Sequence, residues 1–153
     1  MQAVDADFER RVRDSFARQG AMRHIGAVLG EVAPGRVVID LPYRPELSQQ
    51  HGYFHAGMVS TVADSAGGYA AYTLFPADSS VLTVEFKVNL IAPADGERVR
   101  AVGQVIRSGR TLTICELKAY ALKDGRETQC LHGMATLMCL AGKSDGAPSS
   151  SDR

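Results

Sequence analysis

Asp64 is the one charged residue between Met58 and Phe75, a stretch otherwise built of small, apolar and neutral polar side chains. A carboxylate in such surroundings needs a partner or a task, because burying it unpaired is costly. Read as a helix, the stretch puts Gly57, Ser60, Thr61, Gly67, Gly68 and Ala71 around Asp64. Met58, Val59, Val62, Ala63, Ala66, Tyr69 and Ala70 fall on the other face. The small stripe leaves room for a partner helix, a substrate, or both. On the helix alone, an Asp held by a neighbouring backbone group or an Arg fits equally well.

The start of the same helix offers a second chemical group. His55-Ala56-Gly57 opens it, and a first turn carries free N–H groups at the positive end of the helix dipole. Small residues let a ligand approach that backbone closely. Such a site polarises a carbonyl and stabilises an oxyanion. One such donor and one carboxylate suffice for thioester hydrolysis, with the carboxylate acting as base towards water or as nucleophile. Ala56 and Asp64 are eight residues apart, roughly 12 Å along a helix axis. One thioester cannot touch both in one chain. Two helices antiparallel about a two-fold axis would bring each Asp64 to the other's Ala56, which predicts a dimer with two composite sites.

The elements that must position these groups follow from periodicity. Val4, Phe8, Val12 and Phe16 recur every four residues among charges, predicting an amphipathic helix over Asp5 to Arg18 that Gly20 ends. Ile25 to Glu31 and Arg36 to Leu41 flank Pro34-Gly35 and predict a hairpin. Pro42 to Phe54 reads as a long loop. The central helix spans Ala56 to Leu74, and its paired glycines predict burial against other backbone. Four strands follow, at 81–91, 97–107, 111–122 and 128–140, rich in Val, Ile, Leu and Thr. Turns at Pro93 to Gly96, Ser108 to Arg110 and Lys123 to Gly125 separate them. The expected class is α+β: about six antiparallel strands curled around one central helix, plus an N-terminal helix. Residues 1–140 make one domain, and 141–153, rich in Gly, Ser, Pro and charge, make a disordered tail.

Lys plus Arg and Asp plus Glu number 17 each, so net charge gives no reason to expect nucleic acid or an acidic membrane as partner. Asp64 interrupts the longest apolar stretch, so no membrane span is expected. The acidic N-terminus is unlike a signal peptide, and the cytoplasm is the expected location. Cys115, Cys130 and Cys139 form no C-x-x-C and are expected as plain thiols. His24, His51 and His132 have no ligand-like partners in sequence, so no metal is expected. A Ser-His-Asp hydrolase motif and phosphate-binding glycine loops are absent.

The run His51-Gly52-Tyr53-Phe54-His55-Ala56-Gly57-Met58, followed by Ala63-Asp64-Ser65-Ala66-Gly67-Gly68-Tyr69-Ala70-Ala71, resembles the signature of the phenylacetate-degradation-type (PaaI-like) hotdog thioesterases. That family opens its central helix with His-Gly-Gly and places an acidic residue nine after the His, the spacing of His55 to Asp64. Leu82 to Ala94 and Val105 to Leu112 are similar to the family's next strand and hairpin, so the resemblance covers roughly residues 22–140. It implies a hotdog fold and hydrolysis of acyl-CoA without metal or separate cofactor, coenzyme A being part of the substrate. It also implies a homodimer or a dimer of dimers. By the same resemblance Asp64 is the catalytic carboxylate, Ala56 the backbone donor to the thioester oxygen, and His55 the residue that orients its loop. Thr83 matches a Ser/Thr position near the attacking water, and Arg107 and Arg110 match contacts to coenzyme A phosphates. Ala56 stands where the family has its first Gly. Gln49, with Gln50 beside it, stands where some members carry Asn.

Two other readings share this pattern: an acyl-CoA-binding protein without turnover, and a hotdog hydratase or dehydratase using His55 with an acidic partner. Tyr53, Phe54, Met58, Tyr72 and Phe75 are candidates to line an acyl pocket, with Tyr69, Tyr72 and Phe75 also fitting core packing.

Overall fold

The amphipathic N-terminal stretch folds as α1 (Phe8–Arg18) and α2 (Gly20–Ile25), followed by the strands β1 (Val28–Ala33) and β2 (Arg36–Pro42). The central helix α3 (Ala56–Tyr72) comes next, then β3 (Ser79–Leu90), β4 (Arg98–Ser108), β5 (Leu112–Lys123) and β6 (Arg126–Ala141). These elements come from a computed structural model that describes residues 1–143 and 145. The expected tail lies mostly outside the described residues, though Ala141 itself ends β6.

The strands form one antiparallel sheet in the order β1-β2-β4-β5-β6-β3. Its concave face closes over α3, giving the hotdog fold. The β5–β6 turn is a two-residue hairpin in which Asp124 and Gly125 both take positive φ, at 49° and 74°. Asp-Gly suits this turn because its twist matches that of the flanking strands.

Two expectations about the N-terminus are corrected. Gly20 does not end the helical region; extended Gln19 breaks it, and Gly20 begins α2. Ile25 accordingly closes α2 rather than opening a strand, and left-handed Gly26 (φ 76°) terminates the turn. Arg11 fastens α1 to the core. Its guanidinium donates to the carbonyls of Phe75 (2.8 Å) and Tyr72 (3.3 Å), and it pairs with Asp5 at 2.9 Å. A cation belongs there, at the negative end of the α3 dipole.

The small residues of α3 divide differently from the expected stripe. Gly67, Gly68 and Ala71 are all buried, and Gly67 packs against the sheet. A methyl on Gly67 would meet Leu117 of β5 at 2.5 Å, and one on Gly103 of β4 would lie 2.2 Å from the Ala66 carbonyl oxygen. Helix and sheet therefore touch backbone to backbone. Gly68 is different: a methyl there would meet nothing within 4 Å. Tyr72 and Phe75 are core residues, and Met58 packs against the core.

β3 is an edge strand, paired only with β6 among the described residues. Its Leu82, Val84, Phe86 and Leu90 are 57%, 53%, 45% and 56% exposed. A long apolar edge with unpaired backbone groups is a template for pairing with another chain.

Candidate active site

Asp64 sits half-buried midway along α3 and faces β3. Thr83 donates its hydroxyl to Asp64 Oδ1 at 2.8 Å. Thr83 lies opposite buried Leu137, next to a β-bulge between Thr83 and Glu85. Burial raises the carboxyl above the ordinary Asp range, and the Thr83 bond, the smaller influence, lowers it. The result is a carboxylate more basic than a solvated one, suited to take a proton from water or to attack a carbonyl.

At the helix start, His55 is the N-cap, in extended conformation. Its Nδ1 accepts the Gly57 N–H at 2.9 Å, and its own N–H donates to the Leu47 carbonyl at 2.9 Å. The cap requires an unprotonated Nδ1, so a neutral ring carries its proton on Nε2. Gly57 is thus not a free oxyanion donor, whereas the Ala56 N–H has no acceptor among the described residues. His55 orients the turn and leaves the Ala56 N–H available at the positive end of α3.

Ala56 lines a mainly apolar cavity of about 550 Å³ with Gln49, Tyr53, Phe54, Val59 and Ile91. The Gln49 side-chain oxygen accepts the His51 N–H, which fixes the loop, while Gln50 is exposed. Asp64 lines a different cavity, about 430 Å³, with Thr83, Gly68, Ser65, Tyr69 and Gln19. The two cavities share no residue. The two chemical groups are therefore separated within one chain, as their spacing along the helix requires.

Arg107 and Arg110 are exposed and form no ion pair among the described residues. The register Thr113–Leu137–Thr83 puts the β4–β5 turn at the Thr83 end of the sheet, two strands away. Neither arginine lines either cavity. Burial pushes the Cys115 thiol up to about 12 and the Cys130 thiol to about 11, which makes both poor nucleophiles. Among the described residues no cluster of three or more metal-ligating side chains occurs, and no helix is long and apolar enough to cross a membrane. Sequence reasoning does not single out Gln19 or Ser65, since neither belongs to a chemical motif.

Residues 51–128, half of the chain, match the thioesterase superfamily. A crystal structure of a thioesterase family protein from Silicibacter pomeroyi superposes with a TM-score of 0.87 at 51% identity, covering 88% of this chain and 99% of that one. A Saccharolobus solfataricus protein that carries an esterase name is 33% identical over 84 residues, 55% of this chain and 59% of that protein's length. A Listeria monocytogenes 1,4-dihydroxy-2-naphthoyl-CoA hydrolase is 26% identical over 99 residues, 65% of this chain and 80% of the hydrolase.

Proposed function

The chain belongs to the thioesterase superfamily, and on that premise we propose that it hydrolyses an acyl-CoA thioester at sites shared between two copies of itself. The observation that carries the reading is the Asp64–Thr83 pair in one cavity and the unengaged Ala56 N–H in another. In the proposed site the thioester oxygen accepts the N–H of Ala56 of the partner subunit. Asp64 takes a proton from water, whose oxygen adds to the carbonyl carbon, or adds to that carbon itself. The C–S bond then breaks, and the thiolate leaves as the coenzyme A thiol after taking up a proton. In the second route water hydrolyses the Asp64 acyl anhydride. The relative named as a naphthoyl-CoA hydrolase supports the coenzyme A ester as substrate class.

The edge of β3 supports the dimer. β3 runs opposite to α3: Thr83 lies beside Asp64, while Leu90 lines the Ala56 cavity. A two-fold axis that exchanges Ala56 with Asp64 of the second copy passes midway between them, near Ser60. On β3 the midpoint between Thr83 and Leu90 falls between Phe86 and Lys87, and the proposed pairing centres on Phe86, the exposed apolar residue of the two. Antiparallel pairing centred there sets Glu85 opposite Lys87 of the second copy and covers the exposed Val84, Phe86 and Leu90.

Thiol release from a panel of acyl-CoAs, by the wild type and Asp64→Asn, tests the reading. The expected result is wild-type turnover that falls about 100-fold or more in the variant, as for loss of a catalytic base. Undiminished activity in Asp64→Asn would remove the carboxylate from the chemistry, and no thiol release from any acyl-CoA would sink the hydrolase reading.

A further inference from the structure

The Asp64 cavity is lined in part by residues that come from neither the central helix nor β3. Ser15 and Gln19, at the end of α1 and its junction with α2, line it beside Tyr69 of α3. Both lie outside the segment that matches the superfamily. We propose that α1 and α2 form the end of the acyl-group pocket, and that the acyl group admitted there carries an uncharged hydrogen-bonding terminus, such as a hydroxyl, bound by Gln19. This rests on the hydrolase reading above.

The wall is polar and neutral. Gln19 Oε1 accepts from the Ser65 hydroxyl at 3.3 Å, and the Gln19 amide nitrogen has no acceptor among the described residues. Ser15 and Tyr69, both buried, share one hydrogen bond between two hydroxyls at 3.2 Å. The two charges beyond Asp64 itself, Arg18 and Asp145, neutralise each other at 3.0 Å, and the Arg18 side chain is 55% exposed. A charged acyl end finds no unpaired counter-ion here, while a purely apolar end leaves the Gln19 donor unpaired on desolvation. Gly68, one turn beyond Asp64, leaves open space between the carboxylate and this wall.

The direction of the substrate follows from what lies beyond each cavity. The Ala56 cavity continues past Tyr53, Ala92 and Pro93 into a surface groove of about 600 Å³ lined by Asp95, Lys123, Asp124 and Arg126, where Lys123 pairs with Asp95 at 2.6 Å and Arg126 forms no ion pair among the described residues. Coenzyme A is long and phosphorylated, so it needs an open track and cations. An acyl group needs a pocket with an end. In the proposed arrangement α1 and α2 supply that end.

The test compares kcat/KM for hexanoyl-CoA, its terminally hydroxylated counterpart and acetyl-CoA, in the wild type, Gln19→Leu and Gly68→Val. The wild type is expected to favour the hydroxylated chain over the plain one. Gln19→Leu should lower that ratio about 10-fold, the loss of one hydrogen bond to a desolvated partner. Gly68→Val should lower the ratio of hexanoyl- to acetyl-CoA turnover by about 10-fold or more, since the added methyls occupy the channel. Wild-type turnover with both ratios unmoved in the variants would overturn the pocket assignment alone. No thiol release by the wild type from any of the three would overturn it together with the hydrolase reading.

Discussion

Thr83 donates a 2.8 Å hydrogen bond to Asp64 across the seam between β3 and α3, and it is the one side chain that bonds this carboxylate among the described residues. The bond favours the ionised form, while burial, the stronger influence, opposes it. A base or nucleophile must be ionised, so activity rises with pH through a midpoint above the ordinary carboxylate range. Thr83→Val should move that acid limb to higher pH and lower kcat/KM about 10-fold on its slope. Thr83→Ser should restore both. A pH profile that does not move in Thr83→Val contradicts the role given to this bond.

The raised pKa of Asp64 also makes a stability prediction. The native state holds this proton more tightly than the unfolded chain does. Its stabilising contribution is complete below the unfolded pKa and is lost as pH rises through the folded one. Asn cannot ionise and escapes that loss. Asp64→Asn should therefore melt higher than the wild type at about pH 7, by a margin that shrinks towards about pH 4. Thermal melts at the two pH values check it. A margin that grows towards acid would reverse the sign.

The glycines of the core rank by what a methyl would strike. Gly103→Ala places carbon against the fixed Ala66 carbonyl and should cost about 3 kcal/mol or more. Gly67→Ala meets the rotatable end of Leu117 and should cost about 1–2 kcal/mol. Gly68→Ala meets nothing and should stabilise the helix by about 0.5–1 kcal/mol. Urea unfolding of the three variants gives the order, and equal effects would contradict the packing described.

The proposed pairing of β3 with a second copy has a register that cysteines report. With Cys139, the half-buried thiol, changed to Ser, Phe86→Cys should oxidise to a covalent dimer. A residue on the two-fold faces its own copy at about 4.5–5.5 Å between Cα atoms, within disulfide reach. Val84→Cys and Val88→Cys should remain monomeric on non-reducing gels. Cross-linking through Val88→Cys instead would place the axis elsewhere on the strand.

Much of this was legible in the sequence because it rests on local chemistry. The strands announce themselves by β-branched residues between Gly- and Asp-rich turns. The separation of Asp64 from Ala56 is a property of helix rise alone. The break at Gln19 was not legible, because Gly20 reads as a helix stop, while α2 depends on burying Met22 and Ile25 in the core. The division of Gly67 from Gly68 depends on where β5 passes, which no local pattern contains. That Gly57 gives its N–H to His55 follows from the cap geometry and leaves Ala56 as the donor in the proposed oxyanion site. The contribution of Ser15 and Gln19 is a tertiary contact about 50 residues away in sequence.

The sharing of one site between two chains is tested most directly by complementation. Ala56 is the first residue of α3 and follows an extended His55, so Ala56→Pro removes the N–H at a position where proline suits a helix. Ala56→Pro and Asp64→Asn homodimers should each be nearly inactive. Mixed by unfolding and refolding together, they should regain about a quarter of wild-type activity, because half of the dimers are hybrids and each hybrid holds one intact site of two. A mixture no more active than its two components would contradict the shared site.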